Sequence, residues 1–501
     1  MYIDISPYQG TKRVRIVKRQ MEGSKWTTKL VKHIGTAKCE EELEILKEIA
    51  HKERLKLANP GQMSFDLDVE APSSLYTLGF YNHGADVILG RIFDSLHISI
   101  GRMTPLLKLL TIARIVHPGS KRDTARWMEE TLGSSYSLDQ VYRFLDVVIK
   151  KRSPIETSLR DSITKRYPEA LSYLIYDVTT IYFEKDDEDP DVESGLGLRK
   201  RGYSKDHRND LPQVVLGLCV NELGMPLSHN LYPGHTYEGN TLIDSIQKTR
   251  QSFKAMPLTV VADAGMLSAK NLAAIVDAGM GYIMSARIKN LESKLTDKIL
   301  THDFQKSPVL ETRWKEARLI VAYSRKRARA DAKRREAAVA RLEKLIAEGK
   351  AIRRHRFLDF RVKEKPSLDE RAIETAARYD GLKGYTTNNF ELSTDEVISH
   401  YSQLPVVEQS FRMTKSDLKI RPVYHQREQR IEAHVILCMI SLCVMRILEE
   451  KVRAEGITYY DAIDIIKKTN SAVIGNSRKS HLIPPLYSEK FRAILNATRA
   501  S

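Results

Sequence analysis

Residues Leu171 to Phe183 read Leu-Ser-Tyr-Leu-Ile-Tyr-Asp-Val-Thr-Thr-Ile-Tyr-Phe, a β-branched and aromatic run with one acid, Asp177, at its middle. This composition predicts a strand. A carboxylate in such a strand is costly to bury without a partner, and a metal ion is such a partner. A second run repeats the arrangement: Leu258 to Ala262 delivers Asp263 at its end, and Ala264-Gly265-Met266 then turns the chain toward a helix. Acids at the ends of adjacent strands converge on the sheet surface, where carboxylate oxygens suit Mg²⁺. One strand-terminal Asp is more often a cap or loop residue. Two in the same context, with a third acid on a later helix, are more specific.

Outward from these two strands, others are expected at Gln213–Asn221, Pro226–Tyr232 and Gly281–Ser285, with helical stretches at Asn240–Phe253 and Ser268–Ala278. Strands first in meander and then alternating with helices describe a mixed sheet with helical cover. Before them, Ala85 to about Tyr167 has helical periodicity broken at Pro118-Gly119-Ser120 and Gly133-Ser134. Ser120 is placed to cap a helix holding Lys121, Arg122, Arg126 and Trp127, and Ser137 to cap one holding Tyr142 and Arg143. Helix, turn and basic helix fit a DNA-binding unit; an ordinary bundle with a solvated basic face fits the same pattern. The first residues alternate at Arg13–Lys18 and Trp26–His33 and then run into a Glu/Lys-rich helical stretch, Glu40–Lys56. Strands dotted with Lys and Arg can track a phosphate backbone, although a solvated edge hairpin looks alike.

Between about Lys289 and Tyr385 the composition shifts to apolar alternation near Leu319 and then to a very basic helix from Arg325 to Glu348. Its first half, with Arg325, Lys326 and Arg327, reads as a DNA contact. Its second half reads as a solvated helix laced by Glu336, Glu343 and Glu348. Later, Ser393 or Thr394 can cap a helix running through Glu408 toward Lys415, and an apolar helix follows from Ile431 to Glu449.

Composition narrows the partners. The 501 residues carry 80 Lys and Arg against 64 Asp and Glu, a formal charge of +16. That balance favours a polyanion, nucleic acid above all. The apolar run Val435–Met445 is too short to cross a bilayer, so no membrane partner is expected. With no charged leader before an apolar stretch, a cytoplasmic, nucleoid-associated location is expected. Four cysteines without Cys-x-x-Cys spacing support neither a zinc knuckle nor a disulfide framework.

The third acid comes with a signature. Tyr401, Glu408 and Lys415 fit the spacing Tyr-x2-Arg-x3-Glu-x6-Lys, which resembles that of DDE transposases of bacterial insertion sequences in the family 4 group. Leu418 to His425, Arg430-Ile-Glu-Ala-His434, Tyr176-Asp177-Val-Thr-Thr180, Gly202-Tyr-Ser-Lys205, Asp210-Leu-Pro-Gln213 and Val261-Ala-Asp263 resemble its family 1634 branch. Two positions depart from the pattern: Leu404 stands where Arg is usual, and Gly234-His235 replaces a Gly-Asn pair.

The resemblance implies an α/β protein with an RNase H-like core. A small β/α module would span 1–68 and a mostly helical DNA-binding region 69–168. The core would occupy 169–288 and 386–450, interrupted by an inserted basic subdomain at 289–385 and followed by a helical tail, 451–501. Asp177, Asp263 and Glu408 would hold two Mg²⁺ or Mn²⁺ ions, with Asp177 bridging. Tyr401, Lys415, Arg412, Arg421 and His425 would lie on DNA. The implied activity is hydrolysis at terminal inverted repeats, then joining of the 3′-hydroxyl to target double-stranded DNA, by a homodimer pairing two ends. A domesticated, non-cleaving DNA-binding protein and an RNase H-like nuclease without strand transfer remain alternatives. An Asp-x-Asp-x-Thr phosphatase is not, because its second acid is Thr179 here.

Overall fold

The computed structural model describes residues 1–8, 10–22, 25–58, 76–134, 136–191, 196–252, 258–349, 354–359, 367–475 and 480–499. These form two compact units, one of Ile163–Arg412 with Arg421–Val423, the other of Met1–Ser162, Met413–Ile420 and Tyr424–Ser501. Elements are numbered along the chain. The expected boundary at residue 68 and the expected helix end at Phe253 lie outside the described residues.

The first of these units is built on one eight-stranded sheet. Its strands are β5 (Tyr173–Tyr182), β6 (Gln213–Val220), β7 (Pro226–Pro233), β8 (Thr259–Ala262), β9 (Gly281–Ala286), β10 (Val309–Trp314), β11 (Ala317–Tyr323) and β14 (Leu382–Thr387). They lie in the order β7-β6-β5-β8-β9-β14-β11-β10. β5, β6 and β7 form an antiparallel meander. β8 and β9 run parallel to β5 on its other side. These five strands have the RNase H-like arrangement that the sequence led us to expect.

Every residue of β6 and of β8 is buried, as continuous apolar runs require when both faces of a sheet are covered. Side chains on β5 show what covers each face. Tyr176 donates its hydroxyl to Thr241 Oγ1 at 2.9 Å, at the start of α7 (Thr241–Ser252), which packs beside α8 (Ala269–Asp277). Tyr173, on the opposite face, meets the His400 ring at 4.1 Å on α12 (Thr394–Ser402), and α13 (Leu404–Arg412) continues across β5 and β6.

Residues 289–385 were expected as a separate insertion, yet three of their strands extend the same sheet. β14 pairs with β9, β11 with β14 and β10 with β11. The reason is apolar. Leu310, Leu319, Val321 and Leu382 share a core with Ala286, Ile288 and Ile299, the last on α9 (Ser293–Thr301). Among the described residues, α10 (Arg325–Ala347), the short pair β12 (Leu358–Asp359) and β13 (Ser367–Leu368), and α11 (Glu370–Ala377) gather a smaller core of their own around Leu342, Phe357 and Leu358. Of the acids expected to lace α10, Glu348 pairs with Lys344 at 3.9 Å, while the helix's other ion pairs use Asp331, 3.7 Å from Arg327, and Asp380, beside Arg335.

The other unit begins with β1 (Tyr2–Tyr8), β2 (Thr11–Glu22) and β3 (Lys25–Ala37), an antiparallel sheet backed by α1 (Glu40–Ala58). A helical body follows: α2 (Gly90–Asp94), α3 (Thr104–Val116), α4 (Lys121–Leu132), α5 (Leu138–Lys150) and the first part of α6 (Arg152–Arg166). Ser120 caps α4 by accepting from the Asp123 amide, and Ser137 caps α5 in a capping box with Gln140, both as expected. A small sheet joins β4 (Tyr76–Tyr81) to β15 (Ser471–Gly475) and β16 (Ser480–Ile483). The chain closes with α14 (Glu428–Arg453), α15 (Tyr459–Lys468) and α16 (Glu489–Ala497).

α14 packs on α3 and α5 in this unit rather than in the RNase H-like one. At 26 residues it is longer than its apolar run suggests, and by length and composition it could cross a membrane. Its most apolar window is 94% buried in the protein, which marks a core helix.

Candidate active site

β5 is buried from Tyr173 to Ile181 except at Asp177, whose side chain keeps 22% of its exposure. The parallel register with β8 pairs Tyr173 with Thr259 and Ile175 with Val261. Two residues further on, Asp177 comes level with Asp263. Both therefore project from the face that carries Tyr173, on strands about 4.8 Å apart. Burial pushes the Asp177 carboxyl up to about 6; Lys205 pulls it back, while the charges of Glu238 and Asp263 add to the rise.

Lys205 is held at this acid pair by three contacts. Its ammonium donates to the Val178 carbonyl at 2.7 Å, pairs with Glu238 Oε1 at 2.9 Å and lies 3.9 Å from Asp177 Oδ1. The loop that delivers it is pinned by Gln213, a fully buried amide donating to the carbonyls of Tyr203 and Gly234, each at 2.9 Å. Two of the motifs in the sequence thus form one device: Gln213 anchors the loop that brings Lys205 to Asp177. Gly234 completes it, because a Cβ there would lie 2.1 Å from the carbonyl oxygens of both Gln213 and Lys200. Gly234→Ala is expected to cost about 3 kcal/mol, seen as a lower urea midpoint. An unchanged midpoint would contradict this packing.

The opposite wall of the site comes from α12. Tyr401 donates its hydroxyl to Asp263 Oδ1 at 3.2 Å, and the Lys383 ammonium sits 4.2 Å from its ring centre. The one helix expected from Ser393 to Lys415 is three pieces. Pro405, which lacks an amide donor and crowds the preceding turn, separates α12 from α13. A π-helical turn, Met413–Asp417, then follows α13. The seven-residue spacings from Tyr401 to Glu408 and from Glu408 to Lys415 therefore do not fall on one straight helix face.

α13 buries Val407, Ser410 and Phe411, leaving Glu408 exposed, without a hydrogen bond or ion pair among the described residues. Among those residues, no three His, Cys, Asp or Glu side chains come together in a set able to hold a metal ion. The structure unites Asp177 with Asp263. It does not close the set with Glu408. In chemistry the aspartate pair, two hard oxygen donors on one face of the sheet, suits a hard divalent cation.

The expected DNA-contact residues separate into two groups. Arg122, Arg126, Arg325, Lys326, Arg327 and Arg412 are exposed, and Lys415 is half-buried. Arg421 is ion-paired with Asp206, its guanidinium 5.5 Å from the Tyr182 ring centre. Lys121 and His425 must be corrected: both are buried, at 6% and 9% exposure, beside Arg114 and His434. Burial, then Lys121 and Arg114, lowers the His425 pKa to about 3; burial and Arg114 lower that of Lys121. Lys121 lies on the helix capped by Ser120, as expected, but as its first residue it turns inward.

Lys205, Glu238 and Lys383 were missed as site residues. Lys205 lies in the motif Gly202-Tyr-Ser-Lys205, to which no role attached, and Lys383 lies in the mixed strand Leu-Lys-Gly-Tyr-Thr-Thr. Glu238, in a one-turn 3₁₀ helix, had no sequence signal.

A five-strand core in this order, with acids level on its first and fourth strands, defines the RNase H-like class of nucleic-acid phosphoryl transferases. The family model described as Transposase DDE domain matches residues 169–444. The chain belongs to that family, whose members are enzymes that cut and join DNA with divalent metal ions. No curated protein matches it. Among solved structures, it is similar to the piggyBac transposase synaptic complex with hairpin DNA, at 8% identity and TM-score 0.36, covering 83% of this chain and 75% of that one. It is also similar to the Mos1 transposase paired-end complex with the left transposon end, at 12% identity and TM-score 0.16, covering 35% and 56%.

Proposed function

We propose that this transposase is of the insertion-sequence type, binding the terminal inverted repeats of its element, nicking them and joining the 3′-hydroxyl ends to target duplex DNA as a homodimer. The observation that carries this reading is the level placement of Asp177 and Asp263 on one face of adjacent parallel strands. Asp177, Asp263 and Glu408 are the proposed ligands of two Mg²⁺ or Mn²⁺ ions. When bound, such ions supply an activated water and neutralise charge on the scissile phosphate.

The protein's own groups prepare that site. The Tyr401 hydroxyl orients Asp263. Lys205 balances the charges of Asp177 and Glu238. Glu408 lies on the helix that packs against β5, with its side chain unengaged. Arg122, Arg126, Arg325, Lys326, Arg327, Arg412, Lys415 and Arg421 are the proposed DNA contacts.

The test incubates the protein and Mg²⁺ with labelled duplex carrying the sequences that flank its reading frame, together with a supercoiled target. End-specific nicks followed by joined products support the proposal. Nicking without joining would reduce it to a nuclease, and binding without nicking to a DNA-binding protein. In the same assay, Tyr401→Phe is expected to nick about tenfold more slowly, the loss of one hydrogen bond to a charged group. An unchanged rate would remove Tyr401 from the site.

A further inference from the structure

β2 bears five cations between Lys12 and Arg19 and one acid, Glu22; of these cations, Lys12 pairs with Glu40 of α1 and Arg15 with Asp4 of β1 at 2.7 Å. α1 closes one face of the sheet by packing Leu43, Leu46 and Ala50 on Val14 and Ala37. β1 pairs with β2 only from Thr11 to Val17. Beyond that point, Lys18–Glu22 pairs with Lys25–Lys29 alone, so the β2–β3 hairpin runs on as a two-stranded arm.

The arm has an unusual surface. Lys18 lies directly opposite Lys29, and Arg19 is next to it, all exposed and none with an acidic partner among the described residues. Like charges directly across a strand pair destabilise it. Nearer the tip, Trp26 lies opposite Met21, and the two are 68% and 62% exposed. A merely solvated edge needs its cations but not an exposed tryptophan. Arg19 shares the face of Met21 and Trp26, while Lys18 and Lys29 project from the other face of the ribbon; cations on both faces and an apolar ring on one suit a polyanion that also offers apolar surface. The major groove of DNA, about 12 Å wide, admits a two-stranded β-ribbon and presents both phosphates and thymine methyl groups.

We propose that the β2–β3 arm enters the major groove of duplex DNA, with Lys18, Arg19 and Lys29 on phosphates and Trp26 against the base edges. This rests on the reading of the protein as a DNA-acting transposase and adds a binding element outside the catalytic unit.

The test measures binding of the full chain to a fluorescein-labelled, mixed-sequence duplex of about 30 base pairs across a KCl series. Replacing Lys18, Arg19 and Lys29 together by Gln is expected to weaken binding at least about tenfold and make the log-affinity slope against log salt shallower by about 2 to 3. Duplex is also expected to quench the exposed Trp26 fluorescence in the wild type, a change absent in Trp26→Phe. An unchanged slope with binding intact overturns the arm while leaving the DNA reading in place. Failure of the wild type to bind duplex at any salt overturns both. Loss of self-association, or of phosphatidylserine-vesicle binding, with duplex binding unchanged would give the arm a different occupant and overturn the proposal.

Discussion

Asp177→Asn is expected to melt at a higher temperature than the wild type at pH 7 in EDTA, while losing cleavage. The wild-type carboxyl is pushed up to about 6 from an ordinary 3.8, chiefly by burial in β5. Since the folded state binds this proton more tightly than the unfolded chain does, the stability it contributes is complete below about 3.8 and lost as pH rises through 6. By pH 7 the native state carries the cost of a poorly solvated charge, on the order of 2 to 3 kcal/mol. Asparagine keeps the shape and removes the charge. Lys205 retains Val178 and Glu238 as partners. The melting difference should therefore be a few degrees at pH 7 and shrink toward pH 4, as followed by scanning calorimetry. A lower melting point for the variant at pH 7 would mean that Lys205 compensates Asp177 fully.

Loss of cleavage is the second large effect, and it should not be uniform across the three acids. Asp177→Asn and Asp263→Asn each remove an oxygen ligand from the pair that the strand register fixes. Each is expected to reduce end nicking at least about 10³-fold, roughly 4 kcal/mol of lost transition-state stabilisation. Glu408→Gln tests something else, because its side chain is exposed and uncommitted before DNA and metal bind. An equal loss would show that α13 delivers Glu408 to the aspartates in the working complex. A loss under tenfold would leave the third ligand to another acid, with Glu238, which shares Lys205 with Asp177, the candidate. Single-turnover nicking of labelled duplex separates these outcomes.

The strand-borne half of this site was legible before the structure, because burial in a sheet is written in continuous apolar runs. Asp177 and Asp263 each interrupt or end such a run, and their relation across β5 and β8 follows from the parallel register. The meander of β5 to β7 and the later strand–helix alternation were likewise readable, while the order of the strands in the sheet was not. The helix-borne half was harder. A seven-residue spacing implies a shared face only on an unbroken α-helix, and Pro405 and the turn Met413–Asp417 break it.

Surface charge was harder still. Lys121 and Arg122 are neighbours in sequence, yet one is buried and the other exposed, a difference decided by tertiary packing. The role of Lys205 depends on Gln213 and Gly234, contacts distant along the chain that no local pattern encodes. The insertion was recognised by its basic helix, but its strands joined the core sheet because their apolar side chains needed a shared interior.

The central claim is that Asp177 and Asp263 are the metal-holding carboxylates that cut DNA, and a change of ligand tests it most directly. End nicking should be measured for the wild type, Asp177→Cys and Asp263→Cys in Mg²⁺ and in Mn²⁺, since a thiolate is a poor ligand for Mg²⁺ and a better one for the softer ion. The wild type is expected to cut with either metal and not in EDTA, and both cysteine variants to be inactive in Mg²⁺ but regain measurable cutting in Mn²⁺. Wild-type cutting that persists in EDTA, or cysteine variants that nick at the wild-type rate in Mg²⁺, would contradict it.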